Sequence, residues 1–419
     1  MRIIADLQVH SKYARATSKN LSLENLEKYA RIKGVGLLGV GDFQHPEHYK
    51  EIKACLKEDG KGILYSKTGF PFLWQTEVSL MFSQGGKRRA VHLLVYAPNG
   101  KTADEIIRYL GSKGRLDYDG RPIFGITCRD FVRDISAIDE DAEVIPAHCA
   151  TPWFGLFGSG SGFDSLKECF GDQVGKIHAV ESGMSADPSM LWRLKENVNI
   201  VSFSDAHSFW PWRIGREATI FDVHELSYDS IMKAVRTGNG IVGTIETYPE
   251  YGKYHYDGHR ACGFSCSPGE TRKINGICPV CKKPMTIGVE YRIEQLAKER
   301  KGYRPGGAKP FYKLLPLHEL IAFSEKSTMS SKRTWALYDG LIDRLGNEFN
   351  VLLEASPAEL RSAGAGDGLA DLIMLNRSGG LRIKPGYDGE YGIIGASETG
   401  RKVSEAGARP ESQRRLFGG

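Results

Sequence analysis

Short apolar runs that end in a polar side chain of a metal-ligating type recur along the first half of the chain. The run from Val198 to Phe203 is rich in β-branched and apolar residues, which suits a buried parallel strand, and Asp205 and His207 follow it at once. Earlier runs have the same character. We predict seven such strands, in the ranges 2–10, 35–42, 72–77, 90–95, 143–148, 176–181 and 198–205.

Segments with helical periodicity separate these strands. After the first strand, Ser22 can cap a helix whose apolar positions recur at helical spacing, and Gly34 can end it. The alternation of strand and helix predicts an α/β fold, and seven strands favour a (βα)7 barrel over an open sheet. Such a barrel brings the C-terminal ends of its strands to one rim, so the polar residues that end the strands would meet there.

The barrel pattern fades near Ile245, and the rest of the chain is organised differently. We predict four regions: a metal-binding barrel at 1–250, a cysteine module at 251–288, a smaller helical and α+β C-terminal region at 289–398, and a disordered tail at 399–419. Within the C-terminal region we expect helices at 290–301, 314–324, 334–345 and near 369–375, and short strands at 350–353 and 381–383.

Seven residues in or at the ends of the predicted strands are of types that bind zinc, manganese or magnesium. A set of this size exceeds one tetrahedral site and fits two or three divalent metals bridged by a carboxylate, most plausibly Glu77. Two adjacent metals can generate a hydroxide and neutralise charge on a phosphoryl oxygen, which is the logic of phosphoester hydrolysis. The predicted ligands are His10, Asp42, Glu77, His92, His148, Asp205 and His207, of which Glu77, Asp205 and His207 are the predicted catalytic residues.

Four of the eight cysteines lie within 20 residues of one another, as two pairs separated by 11 residues. This spacing is close to that of a zinc ribbon, and it predicts one structural zinc held by Cys262, Cys266, Cys278 and Cys281. The first pair has three intervening residues where two is commoner, and His259 lies three residues before Cys262. A pairing of His259 with Cys262 is therefore a minor alternative.

The region around these cysteines is basic. Residues 252–335 contain 16 Lys and Arg against 7 Asp and Glu, a local balance of +9 in a chain whose formal net charge is +5. Lys282 and Lys283 would make the folded ribbon a surface that contacts phosphates, and a solvated basic face is the alternative. No apolar run reaches the roughly 20 residues of a membrane span, so we expect a cytoplasmic, nucleoid-associated protein without membrane contact.

The motifs at the strand ends resemble those of the PHP superfamily of barrel metallophosphoesterases, and a wider set of motifs resembles the endonuclease Q family. The superfamily resemblance rests on Asp6-Leu-Gln-Val-His10, Gly41-Asp42, Thr76-Glu77, Pro146-Ala-His148 and Ser204-Asp-Ala-His-Ser208. The narrower resemblance adds Pro146–Trp153, Glu181–Asp187, Arg213–Glu217, the four cysteines, Gly288–Ala297 and Pro385–Gly392, and it extends to about Gly395.

This resemblance implies a DNA-repair endonuclease that nicks on the 5′ side of deaminated bases (uracil, hypoxanthine, xanthine) and abasic sites. The implied partner is damaged DNA, with a sliding clamp as a further partner, and we expect a monomer.

A small-molecule phosphatase is a second hypothesis. The basic ribbon argues against it, because binding a small phosphate ester does not require such a surface. A DNA-binding protein with a degenerate barrel is a third, because Gln8 replaces the first His of the family's His-x-His motif. Either one metal is lost or loosely held there, or Asp6 or a water substitutes. The family's frequent Thr-Asp-His is here Gly41-Asp42-Phe43, so no imidazole follows Asp42.

A nuclease that reads a damaged base must hold it outside the stack, and two aromatic loops offer surfaces for this. One carries Trp153 and Phe154 beside a glycine-spaced run at 155–162, whose glycines would let it move. The other is 209–212, and its alternative role is a hydrophobic lid on the barrel. In this hypothesis Arg213 and Arg216 bind DNA phosphates. The alternative is that they form salt bridges within the protein. The predicted DNA contacts are Trp153, Trp212, Arg213, Arg216, Lys282 and Lys283.

Overall fold

The apolar runs of the first half are strands, and they close into a barrel. The computed structural model describes residues 1–395, so the tail predicted at 399–419 lies outside the described residues. The strands of the described part are β1 (Arg2–Asp6), β2 (Leu37–Gly39), β3 (Lys57–Glu58), β4 (Leu64–Tyr65), β5 (Pro71–Gln84), β6 (Lys87–Ala97), β7 (Ile123–Phe124), β8 (Glu143–Pro146), β9 (Ala179–Glu181), β10 (Asn199–Val201), β11 (Ala218–Asp222), β12 (Ile241–Glu246), β13 (Asp257–His259), β14 (Phe264–Cys266), β15 (Phe311–Lys313), β16 (Ile383–Lys384) and β17 (Ile393–Ile394).

Seven of these strands form the barrel, in the order β1, β2, β5, β6, β8, β9, β10. β1 pairs in parallel with β2, and β2 with β5. At the other side β9 and β10 pair in parallel, and the amide of Cys149 donates to the carbonyl of Glu181 at 2.9 Å where β8 meets β9. A parallel bridge between Val9 and Ala206 joins the segment after β10 to the segment after β1. The predicted seven-stranded barrel is confirmed.

One barrel strand runs against the others. β5 and β6 form a long antiparallel hairpin with no helix between them, and β6 pairs antiparallel with β8 as well. Gly85 and Gly86, which connect β5 to β6, both have positive φ, as the tight turns of two-residue hairpins require. Because β6 is reversed, His92 at its centre lies near the rim that the other strands reach with their C-terminal ends.

The helices cover the outside of the barrel and build most of the C-terminal region. The first confirms its predicted caps: the Ser22 side chain accepts from the amide of Asn25, and Gly34 ends the helix with a φ of 95°. None of the helices in residues 1–395 is long and apolar enough to cross a membrane. They are α1 (Leu23–Lys33), α2 (Pro46–Cys55), α3 (Gly100–Lys113), α4 (Cys128–Ile138), α5 (Leu166–Phe170), α6 (Pro188–Leu191), α7 (Tyr228–Thr237), α8 (Pro268–Lys273), α9 (Val289–Leu296), α10 (Leu317–Ser324), α11 (Lys332–Leu345), α12 (Pro357–Ser362) and α13 (Asp367–Arg377).

The C-terminal region shares the apolar core of the barrel. β11 and β12, which the sequence pattern did not predict, extend the sheet beyond β1 as antiparallel neighbours. β15 then pairs in parallel with β12, so the chain that follows the cysteine module returns to the edge of this sheet. A buried ion pair between Lys33 and Glu348, with 2.6 Å between Nζ and Oε1, fixes α1 to the C-terminal helices.

One predicted strand of the C-terminal region is wrong. Residues 350–354 form a turn of π-helix directly after α11. Val351, Leu352 and Leu353 in it are all buried, and a short apolar run of this kind suits a buried helix as well as a strand. The predicted helices correspond to α9, α10, α11 and α13, and the strand expected near 381–383 is β16, which pairs with β17.

Candidate metal centre and nucleic-acid interface

Six of the seven predicted metal ligands form two groups at one rim of the barrel. In each group the nitrogen and oxygen atoms that could bind a metal lie within 4.8 Å of one another. Sequence positions far apart contribute to each group, which only barrel closure brings together. The first group is His10, Asp205 and His207, and the second is Glu77, His92 and His148.

Glu77 lies between the two groups. One of its oxygens, Oε2, is 3.0 Å from His10 Nε2, and the other, Oε1, is 2.6 Å from His92 Nδ1 and 3.4 Å from His148 Nε2. Burial alone would raise the pKa of Glu77, but the Arg121 guanidinium and the imidazole of His92 hold it well below its usual range. An ionised carboxylate with imidazoles on both oxygens is suited to bridge two cations, as predicted for Glu77.

Asp42 lies behind His10 and is not a member of either group. Its Oδ1 is 2.9 Å from His10 Nδ1, and its Oδ2 accepts from the amide and the hydroxyl of Ser11 at 2.6 and 2.7 Å. A carboxylate on the far nitrogen of a metal-binding imidazole fixes the tautomer and the orientation of the ring. The geometry therefore favours an orienting role for Asp42, where the sequence suggested a direct ligand.

The two residues left open as substitutes for the missing histidine have different roles. Asp6 accepts from the amides of Ser204 and Gly215 at 2.9 and 2.8 Å, which joins the ends of the strands and uses both of its oxygens. Gln8 donates from Nε2 to Glu77 Oε2 at 3.0 Å. Its Oε1 is buried and has no hydrogen-bond partner among the described residues, so Gln8 retains one free acceptor beside the rim.

Three residues of the site have backbone conformations that side chains other than glycine rarely adopt. The φ angles of Asp42, His148 and Asp205 are 42°, 30° and 49°. Each such residue costs on the order of 1–3 kcal/mol, and the surrounding structure must impose it. At His148 the imposition is visible, because a Cβ on Gly183 would lie 2.6 Å from the His148 Cβ. Strain concentrated on these residues points to function at the rim.

Buried carboxylates form a second layer beneath the metal centre. Glu181 accepts from the amide of His148, while Ser202 and Ser182 donate to Glu246 at 3.1 and 2.8 Å. Burial raises the pKa of Glu181 and of Glu246 well above the usual range and raises the pKa of Glu217 to about 8. Burial thus favours the neutral form of each of these acids, and hydrogen bonds from neighbouring amides and hydroxyls hold them in the barrel interior.

Arg121 is a cation of the site that the sequence pattern did not indicate. It lies in the segment between α3 and β7, and its Nη1 is 3.5 Å from Glu77 Oε1. Burial would lower its pKa, but the carboxylates of Glu77, Asp205 and Asp119 outweigh it and raise the pKa. The residue types of segment 114–122 do not distinguish Arg121 from Arg115, which is exposed. Only the fold shows that Arg121 lies beside the candidate metal ligands.

A cavity of about 300 Å³ opens beside the second ligand group. His92, His148 and Asp205 form its floor, and Phe154 stacks on the His92 ring at 4.4 Å. Trp153, predicted as a DNA contact, lies at its mouth with 43% of its surface exposed. The remaining lining comes from Thr151, Gly183, Met184, Ser185, Arg216, Gly252, Lys253, Tyr254 and Tyr391.

The second aromatic loop packs against the C-terminal region, with Trp210 and Trp212 partly buried. Trp212 stacks on Trp210 at 5.3 Å and packs against Trp335 and His318 of the C-terminal region. This arrangement agrees with the lid alternative, and the residues that line the cavity do not include Trp212. Arg216 lines the cavity, yet its Nε and Nη2 donate to the carbonyl of Ser204 at 3.0 and 2.9 Å.

The glycine-spaced run at 155–162 is a tightly held loop. A Cβ on Gly155 or on Gly162 would lie 2.3 Å from a backbone atom, so these glycines permit close packing and do not supply freedom of movement. Arg292 of α9 donates to the carbonyls of Phe157 and Phe163 at 3.0 and 3.1 Å. The loop that carries Trp153 is therefore clamped by a helix that follows the cysteine module.

In the cysteine module, the group of side chains that could hold a metal contains His259 in place of Cys266. His259 Nδ1 is 3.1 Å from Cys262 Sγ and 3.3 Å from Cys281 Sγ, and Cys278 completes the group. Cys266 lies outside it, and its buried thiol is 3.2 Å from the Thr271 hydroxyl. The alternative in which His259 pairs with Cys262 thus fits the geometry better. Lys282 and Lys283 are exposed beside this group.

Comparison of the whole fold with solved structures gives two close matches. The crystal structure of the lesion-specific endonuclease PfuEndoQ from Pyrococcus furiosus is 29% identical, with a TM-score of 0.84 over 94% of this chain and 95% of that one. A crystal structure of endonuclease Q with a 27-mer duplex substrate that carries an abasic lesion at the active site is 30% identical, with a TM-score of 0.84 over 95% and 97% of the two chains. This chain belongs to the endonuclease Q family.

Proteins of uncharacterised function also resemble this endonuclease Q family member. YqxK of Bacillus subtilis is 28% identical over 417 residues, which is 94% of this chain and 99% of YqxK. MJ0043 of Methanocaldococcus jannaschii is 33% identical over 295 residues, and the match spans 35% of its length and 67% of this chain. A family described as the MJ0043 C-terminal domain matches residues 316–380. This chain thus spans about a third of MJ0043, the longer relative.

In this endonuclease Q family member, the segment before the cysteine module contributes cavity residues that the strand-end pattern does not predict. Lys253 and Tyr254 line the cavity, and Tyr254 makes an edge contact with Trp153 at 5.2 Å. The available signal is the tyrosine-rich composition of 248–256, which is also typical of an irregular segment at the end of a barrel. Aromatic density in an irregular segment next to a predicted rim is the pattern that could have found them.

Proposed function

We propose that this protein is a metal-dependent DNA-repair endonuclease that hydrolyses the phosphodiester on the 5′ side of a lesion. The observation that carries the proposal is the match over nearly the whole chain to an endonuclease Q bound to a duplex with an abasic lesion. The two groups of candidate ligands around Glu77 would hold the metals that such a reaction needs. Uracil, hypoxanthine and xanthine are proposed as further lesions on the family resemblance.

The donor set fits two divalent metals. His10, Asp205 and His207 would hold one, Glu77, His92 and His148 the other, with Glu77 shared. The mixture of imidazole and carboxylate suits Zn or Mn better than Mg, which prefers oxygen ligands. Such metals, when bound, act as Lewis acids and lower the pKa of a coordinated water.

The protein's own groups position the reactants. The His207 ring donates from Nδ1 to the carbonyl of Asp205 at 2.9 Å, which leaves Nε2 as the free ligand atom. Asp42 orients His10 in the same manner from the other side. Asp205 Oδ1 lies 3.1 Å from His10 Nε2, and its side chain is 28% exposed at the rim, so we propose that Asp205 would hold a metal there and orient the attacking water.

The cavity beside the metal centre is the proposed site of the displaced nucleotide. Its volume of about 300 Å³ suits one nucleoside better than a duplex, and Trp153, Phe154 and Tyr254 offer ring faces. An abasic or deaminated nucleotide leaves a duplex at a lower cost in unpairing than an intact one, so a cavity of this kind selects lesions.

The module at 251–288 is proposed to fold around one structural zinc bound by His259, Cys262, Cys278 and Cys281 and to contact the DNA backbone through Lys282 and Lys283. In this proposal the barrel ends near residue 250, and the region at 289–398 completes the DNA-binding side. A sliding clamp as partner and a monomeric state stay predictions, which co-elution with a clamp and light scattering would test.

Nicking assays on matched oligonucleotide duplexes test the proposal. Duplexes with one abasic site, uracil, hypoxanthine or xanthine should be cut on the 5′ side of the lesion, an undamaged duplex should not, and a chelator should abolish cutting. Asp205→Asn should lose cutting and keep its fold and DNA affinity, because an amide preserves shape but not charge. Cutting of none of these duplexes in the presence of added Zn, Mn or Mg would contradict the proposal.

A further inference from the structure

The segment that carries Arg121 is fixed above the metal centre. The carboxylate of Asp119 accepts from the amides of Arg15 and Arg121 at 3.2 and 3.1 Å. The amide of Gly120 donates to the carbonyl of Tyr13 at 3.1 Å. Gly120 approaches Asp42 so closely that a Cβ there would lie 2.3 Å from Asp42 Oδ2. The backbone just before Arg121 therefore has little freedom, and this places the Arg121 side chain beside Glu77.

The Arg121 guanidinium has most of its hydrogen-bonding capacity unused. A guanidinium carries five N–H donors, and within residues 1–395 the side chain makes one contact, from Nη1 to Glu77 Oε1 at 3.5 Å. That distance exceeds the usual range of about 2.7–3.2 Å for a hydrogen bond. The side chain is 25% exposed, so part of the guanidinium is accessible from solvent beside the metal centre.

Two other cationic side chains at the rim, Arg216 and Lys253, already contact other groups of the protein. Arg216 directs two nitrogens at the carbonyl of Ser204, and Lys253 lies over the ring of Tyr391 at 4.6 Å. Arg121 is therefore the cation best placed to meet an anion that approaches the two ligand groups. A planar fork of donors also matches the oxygens of a phosphodiester better than an ammonium does.

We propose that Arg121 binds a non-bridging oxygen of the scissile phosphodiester and stabilises the negative charge that develops there during hydrolysis. In this step the water oxygen forms a bond to phosphorus and the P–O bond to the leaving ester oxygen breaks. The water gives up a proton, and the departing oxygen takes up a proton. The inference rests on the endonuclease function proposed above and assigns to Arg121 a contact with the reacting group.

Single-turnover nicking of a duplex with one abasic site separates this role from a structural one. Arg121→Ala should reduce the rate about 100- to 1000-fold, the loss typical of removing one donor from a developing oxyanion. The rate of Arg121→Lys should lie between those of the wild type and Arg121→Ala, because lysine keeps the positive charge but lacks the planar pair of N–H donors. Guanidinium ion at millimolar concentration should restore part of the rate of Arg121→Ala. Arg115→Ala is the matched control, because Arg115 lies in the same segment, is exposed and pairs with Asp117.

Two measurements that do not depend on activity accompany the rates. Bound metal per chain in Arg121→Ala should equal that of the wild type, and the Kd for the abasic duplex, measured in an Asp205→Asn background, should change less than threefold, roughly 0.6 kcal/mol.

An unchanged rate, a loss of metal that parallels the loss of rate, or a loss of affinity as large as the loss of rate would each overturn the role of Arg121. A wild-type protein that does not nick the abasic duplex would overturn the proposed function itself. Nicking by the wild type together with equal nicking by Arg121→Ala would overturn this inference alone.

Discussion

The ion pair between Lys33 and Glu348 should contribute strongly to the stability of the contact between the barrel and the C-terminal region. Both side chains are almost fully buried, at 1% and 0% exposure, and Lys33 Nζ also donates to the carbonyl of Pro211 at 2.9 Å. Lys33→Met keeps the packing of the side chain and removes the cation. Glu348 would keep its hydrogen bonds from the Leu317 amide and the Tyr338 hydroxyl, yet its charge would be uncompensated. Breaking a buried pair in this way costs about 3–5 kcal/mol.

Urea unfolding followed by tryptophan fluorescence measures this loss, since Trp212 adjoins Pro211 and the cluster with Trp335 should report the release of the C-terminal region. Lys33→Met with Glu348→Gln should recover much of the stability, because the amide removes the charge and still accepts from Leu317. Lys61→Met is the matched control: its pair with Glu225 is similarly short but about half exposed, and its removal should leave the unfolding midpoint unchanged. A Lys33→Met protein as stable as the wild type would refute the reasoning.

Three further predictions concern the metals and the buried acids. Gln8→His should raise the metal bound per chain or lower the metal concentration required for activity, measured by elemental analysis and titration, and equal values in both proteins would mean that another group already compensates. His259→Ala should lose the zinc of the cysteine module while Cys266→Ser keeps it, and the reverse pattern of zinc content would restore the four-cysteine site. Because the pKa of Glu217 is raised to about 8 in the folded protein, the folded state binds more protons than the unfolded state between about pH 4.5 and pH 8. Stability should therefore fall as pH rises through this window, and Glu217→Gln should flatten that decline in melting temperature.

The candidate ligands that meet at the barrel rim could be predicted because strand ends carry local signals. An apolar run that ends in Asp205 and His207 places those residues at a rim whatever the remaining chain does, and His10 and Glu77 follow the same rule. A strand end does not encode whether its polar side chain would bind a metal directly or would orient a neighbouring ligand. Asp42 ends a strand like the others, and only the contact with His10 distinguishes an orienting carboxylate from a ligand.

The site predictions that the geometry does not favour share a cause, since each depended on packing between segments that are distant in the chain. Trp212 has the composition of a base-stacking residue, and its position against Trp335 follows from the docking of α11 on the barrel. Cys266 has a plausible spacing, but the β13–β14 hairpin turns His259 toward Cys262 and leaves Cys266 beside Thr271. Arg121 has no sequence signal, because its role comes from a segment held in place by Asp119.

The two ligand groups differ in how much of the chain must be folded before they exist. Glu77 and His92 lie on one hairpin with a two-residue turn, so a short loop closure brings them together. His10 and Asp205 are 195 residues apart and meet only when the last barrel strand docks on the first. We expect the hairpin side of the centre to be available to a metal early in folding, and the other side to form last, as non-local contacts do. Metal added during refolding should therefore occupy the site of Glu77 and His92 first.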